Sequence, residues 1–289
     1  MAHGKRPFAA SRSMAARQNQ HELVPPFEEM PGFLIDKLAT VDSTNSRLLQ
    51  MAIAGACHRR CVVTDVQTAG RGQRGRQWHA EPGVALLCSV AWQFHRGCAL
   101  DGLSLAVGVM TIRALQGLGV AGLQLKWPND ILAADSRDHD GSSPPLGKLG
   151  GILIETVASS DGMRTAVIGV GLNLRTAPRP QLLSGGLSGV HLDALTATVL
   201  HRDDVLDALL VHYDIGLTRF AQDGFAAFRD EWWQARAYGD AMLTARLPDG
   251  GELLGKMTDV TARGALVLSS QWGLHTLVSG EVSVRAARS

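Results

Sequence analysis

Apolar runs and helical patterns alternate along residues 33–238, with glycine-rich or polar turns between them. The apolar runs are rich in valine, isoleucine and leucine and predict buried strands at 33–38, 61–66, 83–92, 148–155 and 165–174. Apolar residues three and four positions apart predict helices that begin at 43–45 and that cover 100–118, 203–222 and 225–238. The pattern therefore predicts an α/β (α+β) fold built on a mixed sheet.

The pattern changes at Gly239, after which short alternating strands are predicted at 242–247, 252–260, 265–270 and 275–284. About fifty residues suffice for a small β-barrel. The first 31 residues carry basic side chains but no periodic apolar face, which is typical of a disordered tail. We therefore expect three parts, at 1–31, 32–238 and 239–289.

A loop rich in glycine and arginine joins two of the predicted strands and covers residues 67–78, Gln-Thr-Ala-Gly-Arg-Gly-Gln-Arg-Gly-Arg-Gln-Trp. Its glycines let the backbone approach a ligand, and its arginines favour an anion such as phosphate. A dinucleotide fingerprint needs a helix directly after the glycines, and the segment around Pro82 cannot form one. A kinase loop also lies between strands, and 201–203 imitates the kinase His-Arg-Asp triplet, but no downstream Asn, Asp-Phe-Gly or Val-Ala-x-Lys accompanies it.

Composition excludes several classes of protein. The 28 Lys and Arg residues nearly balance 27 Asp and Glu residues, so no overall charge draws the chain to nucleic acid or membrane. No apolar run is long enough for a spanning helix and no signal peptide is recognisable, so a cytoplasmic protein is expected. The four cysteines form no CxxC pair and the ten histidines no HExxH motif, which disfavours zinc and disulfides.

Three further clusters have both a structural and a chemical interpretation. The run 43–45, Ser-Thr-Asn, is suited to capping a helix or to gripping a carbonyl or carboxylate at its positive end. The run 126–130, Lys-Trp-Pro-Asn-Asp, is suited to a turn or to nucleotide and Mg²⁺ contacts. Lys148 lies between glycines, where its ammonium group could face solvent or meet a phosphate.

The runs 43–45, 70–78, 126–130, 148–155 and 169–173 occur in one order, and over residues 33–285 the chain resembles the biotin–protein ligase family. The resemblance implies a class II synthetase-like catalytic domain that binds biotin and ATP at 32–238. It also implies a C-terminal SH3-like β-barrel at 239–289. The short N-terminal segment is similar to that of non-regulatory members, so no DNA-binding domain and no DNA partner are expected.

The activity that the resemblance implies has two steps. Biotin and ATP, with Mg²⁺, give biotinyl-5′-AMP and pyrophosphate, and a lysine of a carrier protein then takes the biotinyl group. The carrier subunit of acetyl-CoA carboxylase is the implied acceptor. The chain is expected to be a monomer or a homodimer formed through the central sheet.

The resemblance also implies roles for individual residues. Lys148 and Arg71 are the expected catalytic cations, and Asp130 is the expected Mg²⁺ ligand. Biotin is expected to be bound by side chains and by loop backbone at Ser43, Thr44, Asn45, Gln67, Arg71, Gly72, Gln73 and Lys148. ATP is expected to be bound by Gly70, Arg71, Arg74, Arg76, Trp78, Lys126, Asn129 and Lys148.

The chain departs from the family at two places and leaves two other functions open. Gln73 stands where the family commonly has a basic residue, so the adenylate is hypothesised to escape faster. Residues 135–147 form an unusually long Ser/Asp/Pro/Gly segment. Lipoate–protein ligase is the nearest enzymatic alternative, and a non-catalytic module that binds RNA is the alternative from another class.

Overall fold

The computed structural model describes residues 32–55, 57–135, 146–158, 162–176, 187–247, 249–278 and 283–286. The predicted tail and most of the long segment before Lys148 lie outside the described residues. A seven-stranded sheet is built in the order β1-β2-β3-β7-β6-β5-β4. Its strands are β1 Leu34–Val41, β2 Arg60–Gln67, β3 Ala85–Phe94, β4 Gln124–Lys126, β5 Asp130–Ala134, β6 Leu146–Ala158 and β7 Arg164–Asn173.

The sheet is mixed, as the sequence predicts. β1 runs parallel to β2, and the other neighbouring strands are antiparallel. The centre of the sheet is β3 beside β7, where ten residue pairs from Ala85↔Asn173 to Phe94↔Arg164 are in register. Nearly every residue of both strands is buried, which explains why their sequences are continuously apolar rather than alternating.

Helices cover both faces of this sheet. The helices are α1 Thr44–Ala54, α2 Leu103–Gly117, α3 Arg202–Asp223 and α4 Arg229–Gln234. Leu48 and Ala52 of α1 pack with Val62, Ala91 and Val167 on one face. The other face carries the main core, to which α2 and α3 contribute, with the buried pair Thr111 Oγ1 and Tyr213 OH 2.8 Å apart.

The predicted helix at 225–238 is wrong in extent. The chain forms a 3₁₀ turn at Gly224–Phe228 and the short α4, which ends at Gln234. The next residues pair with the sheet instead: Leu125 N donates to Ala235 O (2.7 Å) and Ala237 N donates to Leu125 O (2.9 Å). Tyr238 then takes a positive φ of 70°, which no helix tolerates.

The C-terminal region forms a five-stranded antiparallel sheet in the order β11-β10-β9-β8-β12. The strands are β8 Met242–Arg246, β9 Glu252–Val260, β10 Leu266–Ser270, β11 Gly273–Leu277 and β12 Ser283–Ala286. The single strand predicted at 275–284 is wrong, because β11 and β12 pair with different partners on opposite edges of the sheet. The closure of this sheet into an SH3-like barrel stays a prediction, as do the domain boundaries.

The two sheets meet beside the Trp-Pro turn. Trp127 is buried, and its indole N–H donates to Gly264 O at 3.0 Å. A Cβ at Gly264 would lie 2.7 Å from Gly102 Cα, so only glycine fits at this crossing. The C-terminal sheet therefore supports the turn that carries Asn129 and Asp130.

Candidate active site

The glycine loop folds as a tight hairpin between β2 and β3. Gly72 N donates to Arg76 O (2.7 Å), Trp78 N donates to Gly70 O (2.9 Å), and Gln73–Gly75 form one 3₁₀ turn. A Cβ at Gly70 would lie 2.4 Å from Trp78 O, so the hairpin needs glycine there. No α-helix follows the glycines, which confirms that the loop is not a dinucleotide fingerprint.

The three polar residues at the start of α1 have different structural roles. Ser43 is the N-cap, with Oγ accepting from Ser46 N at 3.4 Å. Thr44 and Asn45 are buried but do not cap the helix. Gln67 Oε1 accepts from Thr44 N (2.8 Å) and Thr44 Oγ1 (3.2 Å), so the cluster joins α1 to the first residue of the loop.

Ser89 lies beneath this cluster and was missed from the sequence. Its Oγ is 2.6 Å from both Thr44 Oγ1 and Asn45 Oδ1. The only signal was a hydroxyl within the apolar run of β3. Three oxygen–oxygen contacts link Gln67, Thr44, Ser89 and Asn45, but the two hydroxyls supply only two protons. The cluster therefore has acceptor capacity left for a donor from a ligand.

Lys148 and Lys126 share one carboxylate. Lys148 Nζ lies 2.6 Å from Asp130 Oδ1, and Lys126 Nζ lies 3.2 Å from Asp130 Oδ2, with all three side chains at most 12% exposed. Burial alone would raise the pKa of Asp130, but the charges and hydrogen bonds of both lysines hold it below its ordinary value. Burial lowers the pKa of Lys126, although Asp130 opposes this shift. The carboxylate is therefore ionised and fixes the lysines.

Trp78 covers the cavity from the loop side. Cβ atoms at Gly171 and Gly151 would lie 2.7 Å and 3.3 Å from its ring, so these glycines make room for the indole. Lys148 Nζ is 5.3 Å from the centroid of that ring, within the range of a cation–π contact. The indole N–H is buried and lacks a hydrogen-bond acceptor among the described residues. Its donor is thus available to a bound molecule.

Two sets of side-chain hydrogen bonds connect the site to β6, one from Asn129 and one to Glu155. Asn129 Nδ2 donates to Ile152 O (2.9 Å), so its amide side chain positions the turn beside the cavity. Arg71 donates to both oxygens of Glu155 at 2.8 and 2.7 Å, and Asn45 Nδ2 donates to Glu155 Oε2 at 2.9 Å. Glu155 was not among the predicted site residues, since a glutamate after an apolar run usually faces solvent.

Most of the predicted residues line one cavity. These are Ser43, Thr44, Asn45, Gln67, Arg71, Gly72, Gln73, Arg76, Trp78, Asn129 and Lys148. Gly70 and Arg74 instead line a second cavity beside the loop. Arg71, Gly72 and Arg76 line both cavities. Lys126 and Asp130 contact Lys148 but do not line the main cavity. The glycines at 151, 169 and 171 line it and were not predicted as site residues.

The main cavity has a volume of about 50 Å³. Sites for small molecules usually measure roughly 300–1,000 Å³. The second cavity beside the loop is larger, at about 450 Å³, and the ring of Trp78 packs against Gly151 and Gly171 at the smaller one.

Several known proteins are similar to this chain. The model of the biotin/lipoate A/B protein ligase family matches residues 38–173. The bifunctional ligase/repressor BirA of Escherichia coli is 28% identical over 270 residues, covering 90% of this chain and 76% of that protein. The biotin–[acetyl-CoA-carboxylase] ligase of Paracoccus denitrificans is 29% identical over 258 residues, covering 85% of this chain and 98% of that protein.

A solved structure matches as well. The biotin protein ligase of Aquifex aeolicus in complex with biotin and ATP is 25% identical, covers 88% of this chain and 99% of its own, and gives a TM-score of 0.71. Together these comparisons support assignment of the chain as a biotin protein ligase.

Proposed function

We propose that this chain joins biotin to ATP and passes the biotinyl group to a lysine of a carrier protein. In the first step an oxygen of the biotin carboxylate bonds to the α-phosphorus of ATP, and pyrophosphate leaves. In the second step a lysine amine attacks the carbonyl carbon of biotinyl-5′-AMP, AMP leaves, and the amine loses a proton. The observation that carries the proposal is one cavity with spare acceptors at the polar cluster and Lys148 elsewhere on its wall.

The polar cluster suits the ureido ring of biotin, which carries two N–H donors and one carbonyl oxygen. Ser89 has one hydroxyl proton for its two contacts, with Thr44 Oγ1 and Asn45 Oδ1. An N–H of the ring would donate to the oxygen that this proton does not reach. Ser43 Oγ and the amide of Gln67, which also line the cavity, are proposed partners for the ring's remaining groups. A buried polar site of this kind discriminates strongly against ligands without the matching donors.

The loop is proposed to hold the rest of biotin. Arg71 and Gly72 line the cavity, where the valeryl chain would extend from the ureido ring toward Lys148 along the loop backbone. Gln73 would lie near the same chain. Glu155 binds the guanidinium of Arg71 at 2.8 and 2.7 Å, so it fixes the position of this proposed catalytic cation.

Lys148 is proposed to contact both the biotin carboxylate and the α-phosphate of ATP. The attacking carboxylate and the α-phosphate repel each other, so a fixed cation between them favours the reaction by positioning and by electrostatic stabilisation. Arg74 and Arg76 of the loop, with Lys126 behind Lys148, add positive charge for the remaining phosphates. Gly70, Trp78 and Asn129 are proposed to border the nucleotide, with Trp78 on the adenine side.

Magnesium is proposed to arrive with ATP rather than to reside in the protein. The described residues contain no group of three or more His, Cys, Asp or Glu side chains that could hold the ion without substrate. Asp130 is ionised and adjoins Lys148, which fits a carboxylate beside a Mg²⁺–phosphate group. Both of its oxygens contact lysines, so those lysines would turn to the phosphates when the ion is bound.

The carrier subunit of acetyl-CoA carboxylase is the proposed acceptor, because such ligases are among the relatives. We also propose that the C-terminal sheet closes as an SH3-like barrel, since its five antiparallel strands have the required number and size. β1 is an edge strand of the central sheet among the described residues and would serve a homodimer. No described helix has the length and apolar character that a membrane span requires, and a cytoplasmic location stays a prediction.

The transfer reaction tests the proposal as a whole. The purified chain is incubated with ATP, Mg²⁺, biotin and a biotin carrier domain, and with the same domain after Lys→Arg substitution at its acceptor position. Intact mass spectrometry should show one biotinyl group on the first domain and none on the second. Modification with lipoate instead of biotin would assign the chain to the sister activity, and no modification with either acid would contradict the proposal.

A further inference from the structure

Glu155 binds three N–H groups from two separate parts of the site. Its Oε1 and Oε2 accept from the two terminal nitrogens of Arg71 at 2.8 and 2.7 Å, in the bidentate geometry of a strong pair. Oε2 also accepts from Asn45 Nδ2 at 2.9 Å. Arg71 belongs to the glycine loop and Asn45 to the start of α1, so one carboxylate of β6 connects the loop to the polar cluster.

The contact with Glu155 fixes which way the Asn45 amide points. Asn45 Nδ2 donates to Glu155 and, at 3.3 Å, to Leu153 O, while Oδ1 accepts from Ser89. A turn of the amide by 180° would place a donor against Ser89 and an oxygen against the carboxylate. The charge of Glu155 forbids that orientation. The acceptors of the polar cluster therefore depend on a residue that does not line the main cavity.

The same carboxylate holds the loop closed. The side chains of Arg71 and Glu155 are 41% and 27% exposed, so water screens the pair and it adds little to global stability. Its effect is local, because it adds a side-chain anchor at Arg71 to a loop whose backbone is bonded within its own hairpin and to Val41 and Asp42. A weak contribution to folding together with a large effect on one loop is the pattern expected of a positioning group.

We infer that Glu155 is a positioning residue of this ligase: it couples closure of the glycine loop through Arg71 to the orientation of Asn45 in the polar cluster. This inference rests on the proposed function, in which that cluster binds the ureido ring. Glu155 does not touch substrate in this role. Removal of its charge should weaken biotin binding through Asn45 and loosen the loop through Arg71.

The experiment compares Glu155→Gln and Glu155→Ala with wild type in biotin-dependent ATP–pyrophosphate exchange. Glu231→Gln is the matched control, because Glu231 forms a bidentate pair with Arg113 between α4 and α2, outside the main cavity. We expect KM for biotin to rise about tenfold to a hundredfold in both Glu155 variants, as for loss of a charged hydrogen bond. The melting temperature should match that of the control, because the Arg71–Glu155 pair is partly exposed.

A second readout needs no substrate. Trypsin cuts after arginine, and the loop contains Arg71, Arg74 and Arg76. Cleavage within the loop should be faster in Glu155→Gln than in wild type or in Glu231→Gln. An unchanged KM for biotin, or loop cleavage equal to that of the control, would overturn the inference.

Failure of the proposed function and failure of the role of Glu155 give different results. If wild type shows no biotin-dependent exchange, the proposed function fails and this role of Glu155 fails with it. If wild type is active and Glu155→Gln behaves like Glu231→Gln, only the role of Glu155 is lost. In an Arg71→Gln background the Glu155→Gln substitution should retain only the part of its effect that passes through Asn45.

Discussion

Lys148 Nζ lies 2.6 Å from Asp130 Oδ1, and both side chains are at most 10% exposed. Lys126 takes the other oxygen of the same carboxylate at 3.2 Å. Two buried cations thus share one anion, and this arrangement holds Lys148 at the wall of the cavity. Its consequences for stability and for catalysis can be measured separately.

Asp130→Asn should destabilise the protein strongly. The substitution leaves two buried ammonium groups without a counter-charge, and loss of one partner from a buried ion pair costs about 3–5 kcal/mol. It should also lower the pKa of Lys126 further, because Asp130 now opposes the effect of burial. Chemical denaturation measures the change, with Asp203→Asn as a control, since the Lys37–Asp203 pair is 55% exposed on both sides. Equal losses in the two variants would contradict this account.

The stabilising effect of Asp130 should also depend on pH. Its native-state pKa is lowered, so at low pH the unfolded chain binds a proton at this carboxyl that the native chain does not. The contribution is complete above the unfolded pKa of about 3.9 and is lost as the pH falls through the native value. The stability difference between wild type and Asp130→Asn should therefore shrink below about pH 4. If the stability difference between wild type and Asp130→Asn stayed constant from neutral pH to below pH 4, the ion pairs of Asp130 would not be its cause.

Gly169→Ala should impair biotin binding specifically. A Cβ at this position would lie 2.2 Å from Asn45 Oδ1, so Asn45 must move away from Ser89. We expect KM for biotin to rise about tenfold or more, as for the loss of a well-aligned buried hydrogen bond. Gly97→Ala is the control, because no atom lies within 4 Å of the added Cβ. If the two variants have the same KM for biotin, the polar cluster is not the ureido site.

Gln73→Arg tests the departure of the loop from the family pattern. An arginine there would add a cation to the loop that closes the cavity, and it should slow escape of biotinyl-5′-AMP if that cation reaches the phosphate. The free adenylate released in the absence of a carrier is measured for wild type and variant. We expect the variant to release less. Equal release would show that Gln73 does not affect retention of the intermediate.

The mixed sheet and α1–α3 could be predicted from sequence because apolar periodicity determines which face of each element is buried. The end of α4 could not, since residues 235–237 pair with Leu125, which lies far away in the sequence. The same limit applies to β11 and β12, whose partners on opposite edges are set by the whole sheet. Local patterns do not contain such long-range pairings.

The candidate site shows a similar division. Lys148, Thr44 and Asn45 stand out in the sequence because they are polar residues at glycines or at a helix start. Ser89 and Glu155 occupy ordinary strand positions, and their importance appears only where β3 and β6 approach α1. Gly171 is similar, because the need for glycine comes from the Trp78 ring that packs on it.

The most direct test of the central claim is ATP–pyrophosphate exchange with biotin, with lipoate and with neither acid, for wild type and Lys148→Ala. We expect exchange that requires biotin and that falls about 10²- to 10³-fold in the variant, as for loss of a group that stabilises developing charge. Circular dichroism of the variant checks that its fold is retained. Exchange that requires lipoate instead of biotin, or no exchange with either acid, would contradict the assignment to biotin. Full activity of folded Lys148→Ala would contradict the catalytic role of Lys148.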